Sequence, residues 1–532
     1  MRASVEWSHA LLTEPERVLF SRLDVFVGGF DRVAAEQVAG AGEIEPHQVL
    51  DLLTLLVDKS LVVASDDRGR TRYRLLETLR QYAMERLGES GEAEAVWNRY
   101  RDYYTSLATE LNTLTEGHDD AIQRANVEID NLRAAFTWSC EQSEAELALQ
   151  LASSLQPLWL GFGRIREGVA WFDAVLADAE VCQGVSATLR ARAVADRAVL
   201  AASSGDTGGM NTAVDALATA READDATLLA RALTACAALN GFSFDLAQPY
   251  FDEAISLARA QGDRWTLVQV LSWKAVAASI AGDPSTVREA AQEGRDVAHA
   301  IGDRYHWHAC GWALALADQL QGQLIAAATQ FSAVVAETEA THDQLWRFNC
   351  LNGLTHVVAR RGEHGLAQAA IRDALDIAPS LGGFYPALAY AAVALSSLAA
   401  GDTAAAVDAA DTAAPLLRLH PETGAIHLYV LAEAALAGGD VASAGRLAEE
   451  AVSVTKGTHQ YVALVTRARL AVAQGELERA DSDARDALAC AVDVGAPLIA
   501  AEALEILGVV AGDAANHAEA ARLFGAADAL RQ

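Results

Sequence analysis

Apolar residues recur along this chain at spacings of three and four, the pattern of helices that bury one face. Over residues 11–30 (LLTEPERVLFSRLDVFVGGF), Leu19, Phe20, Leu23 and Phe26 mark such a face, and Gly28-Gly29 ends it. Thr13 and Glu16 stand at the separation of a capping box, with Pro15 in the first turn. A second helix is predicted over about 31–39. A third is predicted over about 46–59, where Val49, Leu52, Leu53, Leu56 and Val57 form the stripe. Leu61-Val62-Val63 then reads as a short strand, Asp66-Asp67-Arg68-Gly69 as a turn, and residues 70–75 as a second strand. A helix over 77–88 closes the unit. Three helices, a β-hairpin and a further helix are the order of a winged helix. It occupies residues 11–91, after an N-terminal extension at 1–10.

From about residue 92 only helices and short turns are predicted. Residues 97–111 with 122–142, and 147–163 with 165–179, read as linking helical hairpins over 92–180. From 181 to 532 a glycine, usually followed by Asp or Glu, recurs between Ala-rich helices. It stands at Gly205, Gly241, Gly282, Gly322, Gly362, Gly401, Gly439, Gly475 and Gly512. The mean step of about 38 residues fits a two-helix repeat of tetratricopeptide (TPR) type. The glycine should end the first helix of each pair in a left-handed turn, and the acidic residue should open the second. Ala247/Phe251/Ala254, Ala327/Phe331/Val334, Ala367/Ile371/Ala374 and Ala520/Phe524/Ala527 each place a large residue between small ones on one face of the second helix. Such faces let helices approach closely. The expected fold class is all-α: a winged-helix domain with a small β-hairpin, then a TPR-like α-solenoid superhelix.

Composition narrows the function. Apolar residues make up 52% and aromatics only 6%, with alanine prominent, which suits packed helices and not a β-sandwich. The 41 basic and 72 acidic residues leave a net charge of −31. A DNA-binding surface must neutralise phosphates, so DNA and anionic membrane are disfavoured partners. No 18-residue uncharged apolar stretch and no secretory leader are visible, and the six cysteines form no C-x-x-C pair. A reduced cytoplasmic setting is the expectation. The three lysines, Lys59, Lys274 and Lys456, lack the upstream glycines of a P-loop. His306 and His308 lie two apart on a predicted helix and so point to different faces. No catalytic residue, cofactor site or metal site is predicted, and the chain is expected not to be an enzyme.

Two clusters are candidate contact sites. Arg68, Arg70, Arg72 and Arg74 stand two apart along the wing, a spacing that on a strand puts them on one face. They would contact an anion such as DNA phosphate or a nucleotide, make an intramolecular contact, or form a solvated face beside nearby acidic residues. The second cluster is Arg264-Trp265, Arg304-Tyr305 with Trp307, Trp346-Arg347, and Phe384-Tyr385, at the starts of successive first helices. Aromatics and arginine anchor binding surfaces. They would line a groove for a protein partner or small inducer, or they would seal the seams between repeats.

The stretches LLTEPERVLFSRLDVFVGGFD, LLTLLVDKSLV and YRLLETLRQYAMERL resemble the winged-helix segment that follows the nucleotide-binding core of STAND-type regulatory ATPases. The likeness is to the actinobacterial group of large LuxR-type transcriptional regulators, and EIDNLRAAFTWS (128–139) resembles a segment of the same group. In related ATPases a histidine opening the last of these helices touches the nucleotide. Leu76 stands there in this chain and cannot hydrogen-bond a phosphate. The resemblance implies a P-loop core ahead of residue 1 and a DNA-binding helix-turn-helix after residue 532. The chain would then be the middle and end of such a regulator. It implies a regulatory sensor whose array restrains an ATPase core, here one supplied in trans. The alternative is a regulator whose winged helix contacts DNA.

Overall fold

The computed structural model describes residues 2–67, 69–111, 117–178 and 180–531. Its contacts divide the chain into two compact units: residues 1–158 with 171–193, and residues 159–170 with 194–532.

The first unit begins with α1 (Arg2–Ala10) and α2 (Glu14–Arg22). The capping box forms as the spacing predicts: the Glu16 carboxylate accepts from the Thr13 amide at 2.7 Å and the Thr13 hydroxyl at 2.9 Å. Next come α3 (Arg32–Val38), capped by Asp31 on the Ala34 amide, and α4 (Val49–Asp58). Strands β1 (Val63–Asp67) and β2 (Arg70–Arg74) pair antiparallel, Val63 opposite Arg74, and α5 (Glu77–Ser90) follows. The first strand starts two residues later than the pattern predicts. Ser60 turns left-handed (φ +58°), and the Leu61 and Val62 amides bond back to the Leu56 carbonyl. Those two residues therefore finish α4 and do not extend the hairpin. Leu19, Phe20, Leu23, Phe26, Phe30, Leu53 and Leu56 are fully buried, with Phe26 stacked on Phe30 at 4.3 Å.

Then come α6 (Ala93–Glu110), α7 (His118–Val127), α8 (Ile129–Glu141) and α9 (Ala145–Ser154). The single helix expected over 122–142 is broken at Glu128. The helix expected over 147–163 is also two, the second being Gln156–Gly161. Pro157 lacks the amide that would have continued the first.

The second unit is the repeat array. Its first-of-pair helices include Arg264–Ala281, Arg304–Leu320, Gln344–Arg360, Tyr385–Ala399, Leu428–Ala437, Gly457–Gln474 and Pro497–Asp513. They are buried almost all round. The partners, such as Pro284–Ile301 and Leu477–Val494, bury one stripe and are solvated elsewhere. Phe251 and Phe331, the large residues of two of the predicted sets, are fully buried, whereas Phe524 in the last helix is 43% exposed. Seven of the nine marker glycines adopt φ between +74° and +84°. Gly241 does not, and Gly512 lies inside its helix, the left-handed turn falling at Ala515. Asp283, Asp402 and Asp440 cap second helices as expected, while Glu363 and Glu476 make no side-chain cap. The first helices are capped in the same way, by Asp225, Asp263, Asp303 and Asp343.

Successive turns of this array touch. The Tyr385 hydroxyl donates to the Ser203 carbonyl at 2.8 Å. A Cβ on Gly205 would sit 2.5 Å from Phe384, one on Gly457 2.5 Å from the Ala281 carbonyl oxygen, and one on Gly322 2.9 Å from Pro497. These contacts join residues separated by about 175–182 positions, so the superhelix closes a turn in about four and a half repeats.

Candidate ligand site

Tight coiling decides where the predicted contact residues go. Trp265, Trp346 and Tyr385 are 5%, 8% and 3% exposed. Trp265 packs with Val268, Ala298 and Ile301, and Trp307 covers that cluster from the side. The Arg231 guanidinium lies over Trp265, and that of Arg295 over Trp307. Tyr305, Trp346 and Tyr385 line an interior cavity of about 100 Å³. Arg264 and Arg304 are exposed, Arg304 pairing with Glu337, and Arg347 reaches Asp373. The nine residues are therefore divided between seams, cavity walls and the surface. The aromatics seal seams and the interior, and two of the three arginines face solvent.

His306 and His308 diverge as the helix geometry requires. The His306 Nδ1 lies 2.7 Å from Asp303, the cap of its own helix, and the His308 Nδ1 lies 2.9 Å from Asp343 of the next repeat. Among the described residues no group of three or more His, Cys, Asp or Glu side chains is placed to hold a metal ion. No helix among them is long and apolar enough to cross a membrane.

On the wing, Arg68 falls outside the described residues. Arg70 and Arg74 are exposed. Arg72 turns inward, forms an ion pair with Glu128 and donates to the Gly29 carbonyl at 2.6 Å. Glu128 also accepts from Asn131 at 2.6 Å and from the Tyr104 hydroxyl at 3.2 Å. The four-arginine face is thus divided, and Arg72 serves an intramolecular contact. The third helix of the winged unit, α4, exposes Leu50, Asp51, Thr54, Leu55 and Asp58, with no cation among them. Lys59, just beyond it, pairs with the buried Glu16.

The cavity system of the array was not legible from local motifs. A chamber of about 270 Å³ is walled by Trp312, Leu316, Leu388, Phe384, Tyr429 and Val462, among others. Its polar groups include Gln319, Asn349, Asn352, Thr458, Arg360 and three histidines, His356, His427 and His459. Phe242, Ile280, Ile426 and His459 also line a wider, open recess of about 520 Å³ with Lys456 at its edge. The recess lies where Gly241-Phe242 breaks the glycine–acid rule. At Gly205, Gly282 and Gly322 a contact between turns fills the corresponding space, whereas here Phe242 lines the recess.

Burial holds all three imidazoles in the neutral form. It lowers His356 to about 4, helped by Arg360 and His459, and His459 to about 4. It lowers His427 to about 3, helped by His459 and His356. The Gln319 Oε1, Asn352 Oδ1 and Thr458 Oγ1 atoms have no hydrogen-bond partner. Buried polar atoms of this kind are normally satisfied by protein, by ordered water or by a bound molecule.

Comparison with known proteins agrees with the first unit. The family model of the winged helix-turn-helix domain matches residues 12–88, so the element order read from the sequence is a winged helix. Candidate HTH-type transcriptional regulators of Mycobacterium tuberculosis and Mycobacterium bovis are 48% identical over 542 aligned positions, taking in all of this chain. This chain spans 61% of their length. Among solved structures, a Pyrococcus horikoshii STAND protein with a tetratricopeptide repeat sensor aligns over 98% of this chain and 64% of its own. Its identity is 14% and its TM-score 0.33. A Rap protein complexed with competence and sporulation factor aligns over 67% of this chain and 97% of its own, at 13% identity and TM-score 0.49. Both scores are below 0.5, so the TPR-like assignment rests on the helix pairs themselves.

Proposed function

We propose that this chain is a non-catalytic regulatory and sensor module of a LuxR- or STAND-type transcriptional system, working in the cytoplasm. Its TPR-like array receives a small inducer or a protein partner, and its winged helix passes the state of the array to a nucleotide-binding ATPase core. The observation that carries this reading is the chamber inside the array, which combines aromatic walls with three histidines and Arg360. Absence of a P-loop lysine supports a non-catalytic role, and the 48% identity to candidate regulators supports the transcriptional setting. Calorimetric titration with Mg-ATP should give no binding heat, and saturable heat would count against the non-catalytic reading.

A second reading, direct DNA contact, has the exposed Arg70 and Arg74 in its favour. Against it stand the acidic α4 and the net charge of −31. A gel shift on random duplex DNA at low salt separates the two. A shift that disappears when Arg70 and Arg74 are both changed to Ala would move the function to DNA.

A further inference from the structure

The chamber's chemistry is unlike that of the chain around it. Acidic residues outnumber basic ones by 72 to 41, yet among the described residues no carboxylate lines the chamber or the recess leading to it. The titratable groups that do line them are His356, His427, His459, Arg360, Tyr429 and Lys456. A cationic ligand would meet Arg360 and Lys456 there and no described carboxylate in the lining. Arg360 is loosely held: it reaches Glu502 at 3.5 Å, while Glu502 is engaged by Arg469 at 2.8 Å. Much of the rest of the lining is aromatic and aliphatic. Ligand sites commonly combine such a wall with a few convergent polar groups.

We propose that the chamber binds an amphipathic organic monoanion, its apolar body against Trp312, Phe384 and Leu388 and its charged head among His356, His427, His459 and Arg360. The recess edged by Lys456 is the way in, and Phe242 stands at its throat. This names the ligand class of the sensor and rests on the sensor reading above. An anion among these imidazoles favours their charged form, so binding takes up protons. The groups that set this balance are Arg360 and His459 around His356, and His356 and His459 around His427. Tyr429 adds its own environment of Arg360, Glu502 and Glu433.

The test uses the full chain and two dyes of matched shape: the anion 1-anilinonaphthalene-8-sulfonate and the uncharged N-phenyl-1-naphthylamine. Fluorescence titration at pH 6 should give one saturable site that favours the anion by about tenfold, a preference that shrinks at pH 8. His459→Gln and His356→Gln should erase the preference while circular dichroism stays unchanged. Lys456→Ala, at the exposed rim, should slow entry of the anion and leave that of the neutral dye unaltered. Equal affinity for the two dyes, or a preference indifferent to all three substitutions, overturns the anion site. No saturable binding of either dye overturns the chamber as a site at all. Mg-ATP heat or a DNA shift would instead count against the sensor reading, so the two failures are distinguishable.

Discussion

The Tyr385 hydroxyl donates to the Ser203 backbone carbonyl at 2.8 Å, across 182 residues of sequence. Both residues are buried, so the bond fastens one turn of the array to the next away from water. Tyr385→Phe keeps the ring and strands the carbonyl. It should lower stability by about 1–2 kcal/mol. A thermal melt of the full chain reads this directly, and an unchanged midpoint would mean the turns are held elsewhere.

Two glycines at opposite ends of one helix separate backbone conformation from close approach. Gly457 (φ +60°) opens the helix Gly457–Gln474 and Gly475 (φ +74°) follows it. A Cβ on Gly475 meets nothing within 4 Å, whereas one on Gly457 would meet the Ala281 backbone at 2.5 Å. Gly475→Ala should cost about 1 kcal/mol from conformation alone. Gly457→Ala should cost about 2 kcal/mol more, because the contacting atoms are main chain and cannot rotate away. Equal melting shifts in the two variants would refute the contact between turns.

Glu16 and Lys59 join α2 to the end of α4, and the Glu16 side chain is 1% exposed. Burial raises its carboxyl, but the Lys59 and Thr13 hydrogen bonds outweigh that and hold it below the ordinary value. A depressed carboxylate stabilises the fold above its unfolded value and loses that contribution as pH falls through the folded one. Lys59→Met should therefore destabilise the winged helix by about 2 kcal/mol at pH 7, and by less toward pH 4. Hydrogen exchange of the α2 amides at the two pH values gives the comparison.

Asp24 behaves in the opposite sense. Burial raises it to about 6, only partly opposed by Arg80, and Glu77 pushes it the same way. The folded chain then keeps a proton that the unfolded chain releases between about pH 4 and 6. Stability falls as pH rises through that window. Asp24→Asn should stabilise the unit by about 2 kcal/mol at pH 8 and have little effect near pH 4. Slower exchange of the same amides at pH 8 only is the expected result.

What the sequence disclosed and what it hid divide by distance along the chain. Thr13/Glu16, the α4 stripe and the glycine–aspartate corners act within a few residues, and their spacing was enough to place the winged helix and the repeats. Contacts between turns link residues about 180 apart, so no local period reports them. Trp265, Trp346 and Tyr385 were correctly placed at the starts of first helices. Trp265 is buried by its own and adjacent repeats, whereas Tyr385 also reaches the next turn. His356, His427 and His459 come from three different repeats and share no motif. One local signal was present: Gly241 is followed by Phe242, where most corners carry an acid, and that corner borders the recess.

Contact between turns also limits how this array can change length. An open solenoid tolerates gain or loss of a repeat at almost any point, since each unit meets only its neighbours. Here, removing one repeat would rotate everything downstream by nearly a quarter of a turn. Phe384 would no longer face Gly205, nor Pro497 face Gly322. Variation in repeat number should therefore be confined to the ends, leaving the stretch between Ser203 and Pro497 as a block inherited whole.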